Sequence, residues 1–370
     1  MNEFLDLHKE NTDQSGRRIV KRNGYLPARK IQTGLGHISV SQPRVRGVEF
    51  ASAILPKYMR RVPSIDALIP ALYLKGISTG DMQEALEAIL GENAKGLSAT
   101  NIVRLKESWE REYIDWNKRD LSGKRYVYIW ADGIYFNVRL SDERPCILVL
   151  IGATEDGTKE LIAACDGMRE SKIAWQELLR DLKRRGLTIP PLLAIGDGAL
   201  GFWAALEEEF PGCRQQRCWV HKTANVLDKM SKSVQAGANR LIHEMYTAPT
   251  KEKGMQVFRD FISIYEKKYP KACECLMKDK DRLFIFYDFP AVHWQHIRTT
   301  NPIESTFATI RHRSQRTKGC GSRIATLSMV YKLGISAQKP WRKLKGYELI
   351  EKMIRGTKFK DGEEVKEQVA

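Results

Sequence analysis

The sequence lacks the features of several large classes of protein. No run of roughly 18 apolar residues occurs, so we expect no membrane-spanning helix. The first residues contain no basic stretch followed by an apolar one, and we expect no secretory signal. The seven cysteines are odd in number and form no pair of Cys-x-x-Cys motifs, which favours free thiols in a reducing compartment. These absences predict a cytoplasmic protein.

Acidic residues are scarce relative to basic ones. The chain has 61 Lys and Arg against 45 Asp and Glu, a formal net charge of +16. Between Arg311 and Lys360 there are 14 basic residues and two acidic ones. Such an excess favours a polyanionic partner, and we expect DNA and association with the nucleoid. A plain solvated basic surface is the alternative; a membrane-surface patch is disfavoured because no strongly amphipathic helix accompanies it.

Residues 1–59 are interpreted as a basic N-terminal arm with a small hairpin. Two short β-type runs, Lys30–Thr33 and His37–Ser41, flank a Gly-Leu-Gly turn. We expect the following residues to extend away from the hairpin, and Arg44 and Arg46 among them to contact DNA. A loose arm without a defined role is the alternative.

Residues 60–118 are predicted to form three helices. The first begins near Ser64, with Pro70 either kinking it or marking its true start, and Ser98 caps the third. Helix, turn, helix, loop and helix resemble a helix-turn-helix DNA-binding region, whose last helix enters a groove of DNA. A plain helical bundle is the alternative. The side chains expected to face DNA from the last helix are those of Asn101, Arg104 and Lys106.

From residue 119 the pattern changes to strands. Runs at 125–132, 134–139 and 146–152, a helix at 171–185, and a fourth strand at 191–197 give the order β-β-β-α-β. This order predicts an α/β fold with an RNase H-like mixed sheet, because neither βαβ alternation nor a Gly-rich phosphate loop supports a Rossmann fold. The predicted parts of the chain are a first catalytic segment (119–218), an all-α insertion (219–299), a catalytic helix (300–325) and a basic C-terminal region (326–370).

Two aspartates stand at the ends of predicted buried strands. Asp132 ends the first strand, and Asp197 ends the fourth, within Gly-Asp-Gly. If these strands are neighbours, the two carboxylates meet, and paired carboxylates repel unless a cation neutralises them. Oxygen ligands favour Mg²⁺ or Mn²⁺.

A third acid, Glu304, begins a predicted helix after Asn301 and Pro302. Glu304 shares one helical face with Ala308 and Arg311, so it could reach the metal while the arginine reaches a phosphate. The alternative is that Glu304 closes a capping box with Asn301. The basic residues expected to contact DNA beyond Glu304 are Arg311, Arg313, Arg316 and Lys318.

Cys218 and His221 form a Cys-x2-His pair at the predicted start of the insertion. Two ligands are too few for a structural zinc site, so we expect packing and no four-ligand zinc site. Alternatively, the neighbouring Arg217, Lys222 and Asn225 face DNA.

In this order and spacing the motifs resemble Mutator-type transposases of bacterial insertion sequences. The resemblance covers about residues 20–345, although the region before Arg22 is shorter than usual in that family. It implies an RNase H-like catalytic domain with a DDE triad, an all-α insertion, and recognition of terminal inverted repeats. The motifs that carry it are Asp132 in Trp-Ala-Asp-Gly, Asp197 in Gly-Asp-Gly, Cys218-x2-His221, and Glu304 in Thr-Thr-Asn-Pro-Ile-Glu-Ser.

The expected chemistry is DNA strand cleavage and 3′-OH strand transfer with two Mg²⁺ or Mn²⁺ ions held by Asp132, Asp197 and Glu304. The expected partners are the terminal inverted repeats and target DNA, with a homo-oligomer assembling on DNA. Two alternatives stay open. One is another RNase H-like nuclease, such as a junction resolvase, and the other is a domesticated or decayed transposase that binds DNA without catalysis.

Overall fold

The computed structural model covers a chain of two compact units, Met1–Glu107 and Ser108–Ala370. The residues that the structure describes are 1–33, 36–52, 54–56, 59, 62–77, 81–90, 99–135, 146–167, 170–198, 200–301, 304, 308 and 322–365.

The first unit opens with small β elements. They follow a short helix, α1 (Asn2–Leu7). The strands are β1 (Lys21–Tyr25), β2 (Arg29–Thr33), β3 (Gly36–Val40) and β4 (Pro43–Arg46). Strands β2 and β3 pair antiparallel, which confirms the hairpin predicted around the Gly-Leu-Gly turn. Strand β4 does not extend away freely, as the sequence had suggested, because it pairs antiparallel with β1.

Three helices follow: α2 (Pro63–Leu74), α3 (Met82–Leu90) and α4 (Ala99–Asn117). Their number and order agree with the prediction. Helix α2 begins at Pro63, where a proline needs no intrahelical N–H partner, and it continues through Pro70. A small core of Ile69, Met82 and Leu86 joins α2 to α3, and Leu105 packs against it.

The second unit is built on a five-stranded mixed sheet in the order β7-β6-β5-β8-β9. Strands β5, β6 and β7 are antiparallel neighbours, whereas β8 and β9 run parallel to β5. The sheet and its helices confirm an α/β fold. Its strands are β5 (Tyr126–Tyr135), β6 (Cys146–Thr154), β7 (Lys159–Asp166), β8 (Leu193–Gly196) and β9 (Arg214–Arg217).

The sequence analysis misplaced the boundary between its first two strands and missed another strand of the sheet. The predicted break at Gly133 is absent, since β5 runs through Asp132 and Gly133 to Tyr135, paired with β6 throughout. The predicted strand at 134–139 therefore begins inside β5, and its remainder lies outside the described residues. The third strand of the sheet is β7, which the sequence analysis did not predict.

Two helices, α5 (Lys172–Arg184) and α6 (Leu200–Glu209), share the principal core with the sheet. Trp175 and Leu179 of α5 are buried there and Trp175 packs against Phe202 of α6. Ile173 is 67% exposed, because Trp175 takes the inner position. The N-cap of α5 is Ser171, whose hydroxyl accepts a hydrogen bond from Ala174 N.

Between β9 and residue 298 every regular element is helical, in a stretch that the structure describes in full. This agrees with the helical character predicted for the insertion. The α-helices are α7 (Trp219–Leu227), α8 (Lys232–Thr247), α9 (Lys251–Tyr265), α10 (Pro270–Met277), α11 (Lys280–Leu283) and α12 (Trp294–Ile297). No helix in the described part of the chain is long and apolar enough to cross a bilayer.

The C-terminal elements pack in two places: the long helix contacts β7, where Leu161 N donates to Gln338 Oε1 at 2.9 Å, and the terminal hairpin contacts the helical region. They are α13 (Arg323–Gln338), α14 (Ile350–Ile354), β10 (Phe359–Lys360) and β11 (Glu363–Glu364). The hairpin of β10 and β11 contacts Tyr287 and Ala291, because Gly362 N donates to the Tyr287 carbonyl and Ala291 N donates to the Gly362 carbonyl, both at 3.1 Å. Asp361 accepts a hydrogen bond from Lys251 N at 2.6 Å.

Candidate functional site

The two predicted aspartates lie side by side at the centre of the sheet. Strands β5 and β8 are parallel neighbours with Ala131 opposite Gly196, so Asp132 and Asp197 follow at the same level. Asp132 is 6% exposed and Asp197 is half-buried. The condition set by the sequence analysis, that these strands be neighbours, is therefore met. Asp132 nevertheless lies inside its strand and does not end it.

A third carboxylate, which sequence reasoning missed, joins them. Oxygen atoms of Asp132, Asp197 and Glu170 lie within 4.8 Å of one another. Glu170 directly precedes the N-cap of α5 and has a left-handed backbone with φ of 54°. Its Oε1 is buried without a hydrogen-bond partner among the described residues. Since a non-glycine residue rarely adopts this conformation, the surrounding structure holds Glu170 in place.

Gly133 makes room for the Glu170 side chain. A Cβ atom at residue 133 would lie 2.8 Å from Glu170 Cδ and 2.9 Å from Cys146 Sγ. A glycine inside a strand often marks such a close approach, and this was the available sequence signal for Glu170. The sequence analysis interpreted the same glycine as the end of a strand.

The three carboxylates repel one another electrostatically. Burial raises the pKa of Glu170 to about 7, and the negative charges of Asp197 and Asp132 add to the effect. A divalent cation would relieve both, because it replaces lost hydration and neutralises the charges. Hard carboxylate oxygens suit Mg²⁺ or Mn²⁺, so the donor set fits the metal expected from the sequence.

Glu304 lies in a second group of side chains. Asn301 and Glu304 are helical, and Glu304 N donates to the Thr300 carbonyl at 3.0 Å. Thr300, not Asn301, therefore occupies the N-cap position. The capping-box alternative is wrong, because the N–H of Asn301 is directed to Thr299 Oγ1 and that of Thr300 to Cys218 Sγ. The Glu304 carboxylate instead accepts a hydrogen bond from Thr300 Oγ1 at 3.1 Å.

Cys218 and His221 complete this second group. Ligand atoms of Cys218, His221 and Glu304 lie within 4.8 Å of one another. Cys218 is fully buried at the N-terminus of α7, at the start of the helical region as predicted. Its backbone N–H donates to the carbonyl of Gly196, the residue before Asp197, at 2.8 Å.

Electrostatics connect the two groups. A hydrogen bond to Cys218 raises the pKa of His221 to about 9, although burial alone would lower it. The negative charges of Cys218, Asp132 and Asp197 also raise this pKa. Burial raises the pKa of the Cys218 thiol, but the hydrogen bonds and charge of His221 outweigh it, so the net shift is downward. His221 therefore belongs to the same group as Glu304 and also lies in the electrostatic field of the aspartate pair.

The predicted DNA-binding residues are scattered. Arg44 and Arg46 are exposed on one face of β4. Asn101, Arg104 and Lys106 belong to α4, where the Lys106 ammonium lies over the Tyr73 ring at 5.3 Å and is half-buried. The side chains of Asn101 and Arg104 lie outside the described residues. So do Arg311, Arg313, Arg316 and Lys318.

The suggestion that residues next to the Cys-x2-His pair face DNA is wrong for two of them. Arg217 and Lys222 are each 3% exposed and form ion pairs with Asp279. They lie in the interior, where the end of β9 meets the helical region.

Comparison with known sequences decides the family. A model of the Mutator family of transposases matches residues 1–343. The chain belongs to this family. The resemblance inferred from the motifs is thereby confirmed.

Relatives of this Mutator-family chain are named as insertion-sequence transposases. It is 49% identical over 295 residues to the transposase for insertion sequence element IS6120 of Mycolicibacterium smegmatis. The aligned region covers 80% of this chain and 91% of the relative. It is 48% identical over 288 residues to that for element IST2 of Acidithiobacillus ferrooxidans, covering 76% and 95%. The transposase for IS256 in transposon Tn4001 of Staphylococcus aureus is 28% identical over 316 residues, covering 84% and 79%.

Proposed function

We propose that this protein is a DNA transposase that binds the terminal inverted repeats of its element, cleaves DNA strands and transfers the 3′-OH end to target DNA. The observation that carries the proposal is the meeting of Asp132 and Asp197 on adjacent parallel strands within a chain of the Mutator family. Asp132, Asp197 and Glu304 are proposed as the catalytic acids.

An RNase H-like catalytic domain is part of the proposal. Its support is the order of elements, three antiparallel strands, a helix and a parallel strand, with the first strand in the centre. Strand β5 is therefore flanked on both sides, and its carboxylate is held rigidly beside the end of β8. The helical region between β9 and residue 298 takes the place of the predicted insertion.

Asp132 and Asp197 would hold the divalent ions, with Glu304 as the third ligand. Glu170 is a further carboxylate beside the two aspartates. Such ions, when bound, activate the attacking hydroxyl or water and stabilise the leaving oxygen. The protein contributes carboxylates fixed by strand pairing, as in the pairing of Asp132 with Val149 of β6. Rigid placement of this kind is what phosphoryl transfer requires, because its catalysis is largely positioning and charge stabilisation.

DNA contact is assigned to both units. We expect Asn101, Arg104 and Lys106 on α4 to read the element ends as part of a helix-turn-helix-like region. Arg44 and Arg46, and the basic residues after Glu304, would position the phosphate backbone. A homo-oligomer assembled on DNA follows from the need to hold two element ends.

The test is metal-dependent cleavage of an element end by the purified protein. We expect cleavage and joining with Mg²⁺ or Mn²⁺ and none with a chelator. Asp197→Asn should bind DNA normally and lose cleavage by a factor of at least about 10³, as expected on loss of a two-metal centre. The matched control is Asp166→Asn, since Asp166 ends β7 of the same sheet and pairs with Arg323, outside the acid group.

Other outcomes identify the alternatives. Specific end binding without cleavage under any metal would indicate a domesticated or decayed transposase. Cleavage of branched DNA in preference to element ends would indicate a resolvase. Undiminished cleavage by Asp197→Asn would remove this residue from the mechanism.

A further inference from the structure

Thr300 is the point at which the second group of side chains meets. It is fully buried, and its Oγ1 lies 3.1 Å from Glu304 Oε1, 3.4 Å from His221 Nδ1 and 3.4 Å from Cys218 Sγ. Its backbone N–H donates to the same sulfur at 3.3 Å. The Thr300 side chain thus contacts both residues of the Cys-x2-His motif and the proposed catalytic acid Glu304.

The direction of these hydrogen bonds follows from the chemistry of each group. Thr300 has a single hydroxyl proton, and an ionised carboxylate can only accept, so the hydroxyl donates to Glu304. The hydroxyl oxygen is then free to accept from the protonated Nδ1 of His221. A proton on Nδ1, present in the charged ring and in one neutral tautomer, makes His221 the donor across this 3.4 Å contact.

Backbone hydrogen bonds anchor this network to the aspartate pair. Cys218 N donates to the Gly196 carbonyl at 2.8 Å, and Trp219 N donates to the Arg298 carbonyl at 3.0 Å. The start of α7 therefore connects the strand that precedes Asp197 with the segment that leads to Glu304. A shift of β8 or of the segment before Glu304 would therefore be transmitted through Cys218 and Trp219, which are both buried.

We infer that Cys218, His221 and Thr300 are positioning residues that fix the Glu304 carboxylate for metal binding at the aspartate pair. This inference rests on the proposed function. Fixing the side chain before the metal binds avoids part of the rotamer entropy that a free glutamate would lose on binding. Partners of a metal ligand in this position typically change metal affinity or activity by about 10–100-fold when removed.

A zinc site formed by Cys218, His221 and Glu304 is the competing interpretation of the same cluster. A structural zinc site has four protein ligands, and this group offers three among the described residues. Zinc would also occupy the carboxylate that the aspartate pair needs.

The experiment compares Thr300→Val, which removes the hydroxyl while keeping the shape, with Thr300→Ser, which keeps the hydroxyl. The readouts are Mn²⁺ affinity of the DNA-free protein, measured by electron paramagnetic resonance, and the rate of DNA cleavage. We expect Thr300→Val to weaken both by about 10–100-fold and Thr300→Ser to retain both. The control is Thr326→Val, another buried threonine, whose hydroxyl donates to the Ser322 carbonyl of its own helix.

A double-mutant comparison separates positioning from general damage. If Thr300 acts through Glu304, Thr300→Val should weaken Mn²⁺ binding no further in a Glu304→Gln background. Independent, additive losses would overturn the inference, and so would Thr300→Val behaving like Thr326→Val. Stoichiometric zinc in the purified protein, lost in Cys218→Ser, would also overturn it.

A second pair of variants serves if Thr300→Val does not fold. His221→Asn keeps an N–H donor near the Nδ1 position, whereas His221→Leu removes it, so the former should retain more Mn²⁺ affinity. Equal affinities for the two would contradict the inference. Failure of the proposed function is distinct, because it would appear as Glu304→Gln binding Mn²⁺ and cleaving DNA like the unmodified protein.

Discussion

Gly133 shows how a single residue shapes the candidate site. Its missing Cβ leaves the space that Glu170 occupies beside Asp132. Because the Glu170 backbone is left-handed and its Oε1 has no hydrogen-bond partner among the described residues, the carboxylate is held there at a cost to stability. A buried carboxylate oxygen without a hydrogen-bond partner is well suited to bind a cation.

We predict that Gly133→Ala destabilises the protein by about 1–3 kcal/mol, because the new methyl group would overlap Glu170 and Cys146. Urea denaturation measures the change. Adding Glu170→Ala should recover part of the loss, while the overlap with Cys146 remains.

The control is Gly123→Ala, because a Cβ at that residue would have no heavy atom within 4 Å. It should be close to neutral. Equal effects of the two substitutions, or no recovery in the double variant, would contradict the placement of Glu170.

At the scale of elements, a buried ion cluster joins the end of the sheet to the helical region. Arg217 of β9 and Lys222 of α7 both pair with Asp279, and their side chains are 4% and 3% exposed. Lys222 Nζ also donates to the Cys275 carbonyl of α10 at 2.7 Å. Burial raises the pKa of Asp279, but hydrogen bonds and charges from Lys222 and Arg217 outweigh it and lower the pKa overall.

We predict that Asp279→Asn costs about 3–5 kcal/mol of unfolding free energy, because it leaves two buried cations without their counter-charge. Chemical denaturation checks this. The matched control is Glu208→Gln, which breaks the exposed pair between Glu208 and Lys172 and should cost less than about 1 kcal/mol. A loss for Asp279→Asn as small as the control's would show that water reaches the cluster.

The strands differ in how far their sequences predict them. Strand β8 is short, apolar and buried on both faces, which is the usual pattern of a parallel strand, and it was predicted. Strand β7 begins with Lys159 and Glu160 and contains Ala163 and Ala164, residues of low β propensity. Its strand structure comes from pairing with β6, and local sequence does not encode that pairing.

The site was predictable to a similar, partial extent. The apolar runs before Asp132 and Asp197 predicted two buried strands, so the two carboxylates could be expected to meet on the condition that these strands are neighbours. Glu170 and Thr300 carry no such local signal, because their roles depend on side chains distant in sequence. The capping interpretation of Glu304 failed because the helix begins one residue earlier than predicted, with Thr300 as its N-cap, and the N–H of Asn301 is directed to Thr299 Oγ1.

At the scale of the whole molecule, the net charge of +16 predicts strongly salt-dependent DNA binding. Replacing Arg311 and Arg316 with Gln should weaken binding to every DNA alike and reduce the salt slope by about one unit per lost phosphate contact. Replacing Arg104 or Lys106 with Gln should instead weaken binding to element ends more than to random DNA. Salt titrations of each variant against both DNAs make the comparison, and the reverse pattern would contradict this division of roles.

The hairpin of β10 and β11 affects the order in which the second unit can be completed. Tyr287 donates its hydroxyl to the carbonyls of Met245 and Ala248, and its own carbonyl accepts from Gly362. A ribosome makes the chain from its N-terminus, so the helical region remains without this partner until the hairpin residues have emerged. The unit therefore reaches its final packing only after residues 359–364 have emerged, and an unfinished chain stalled before residue 359 would leave a buried aromatic cluster open to aggregation or proteolysis.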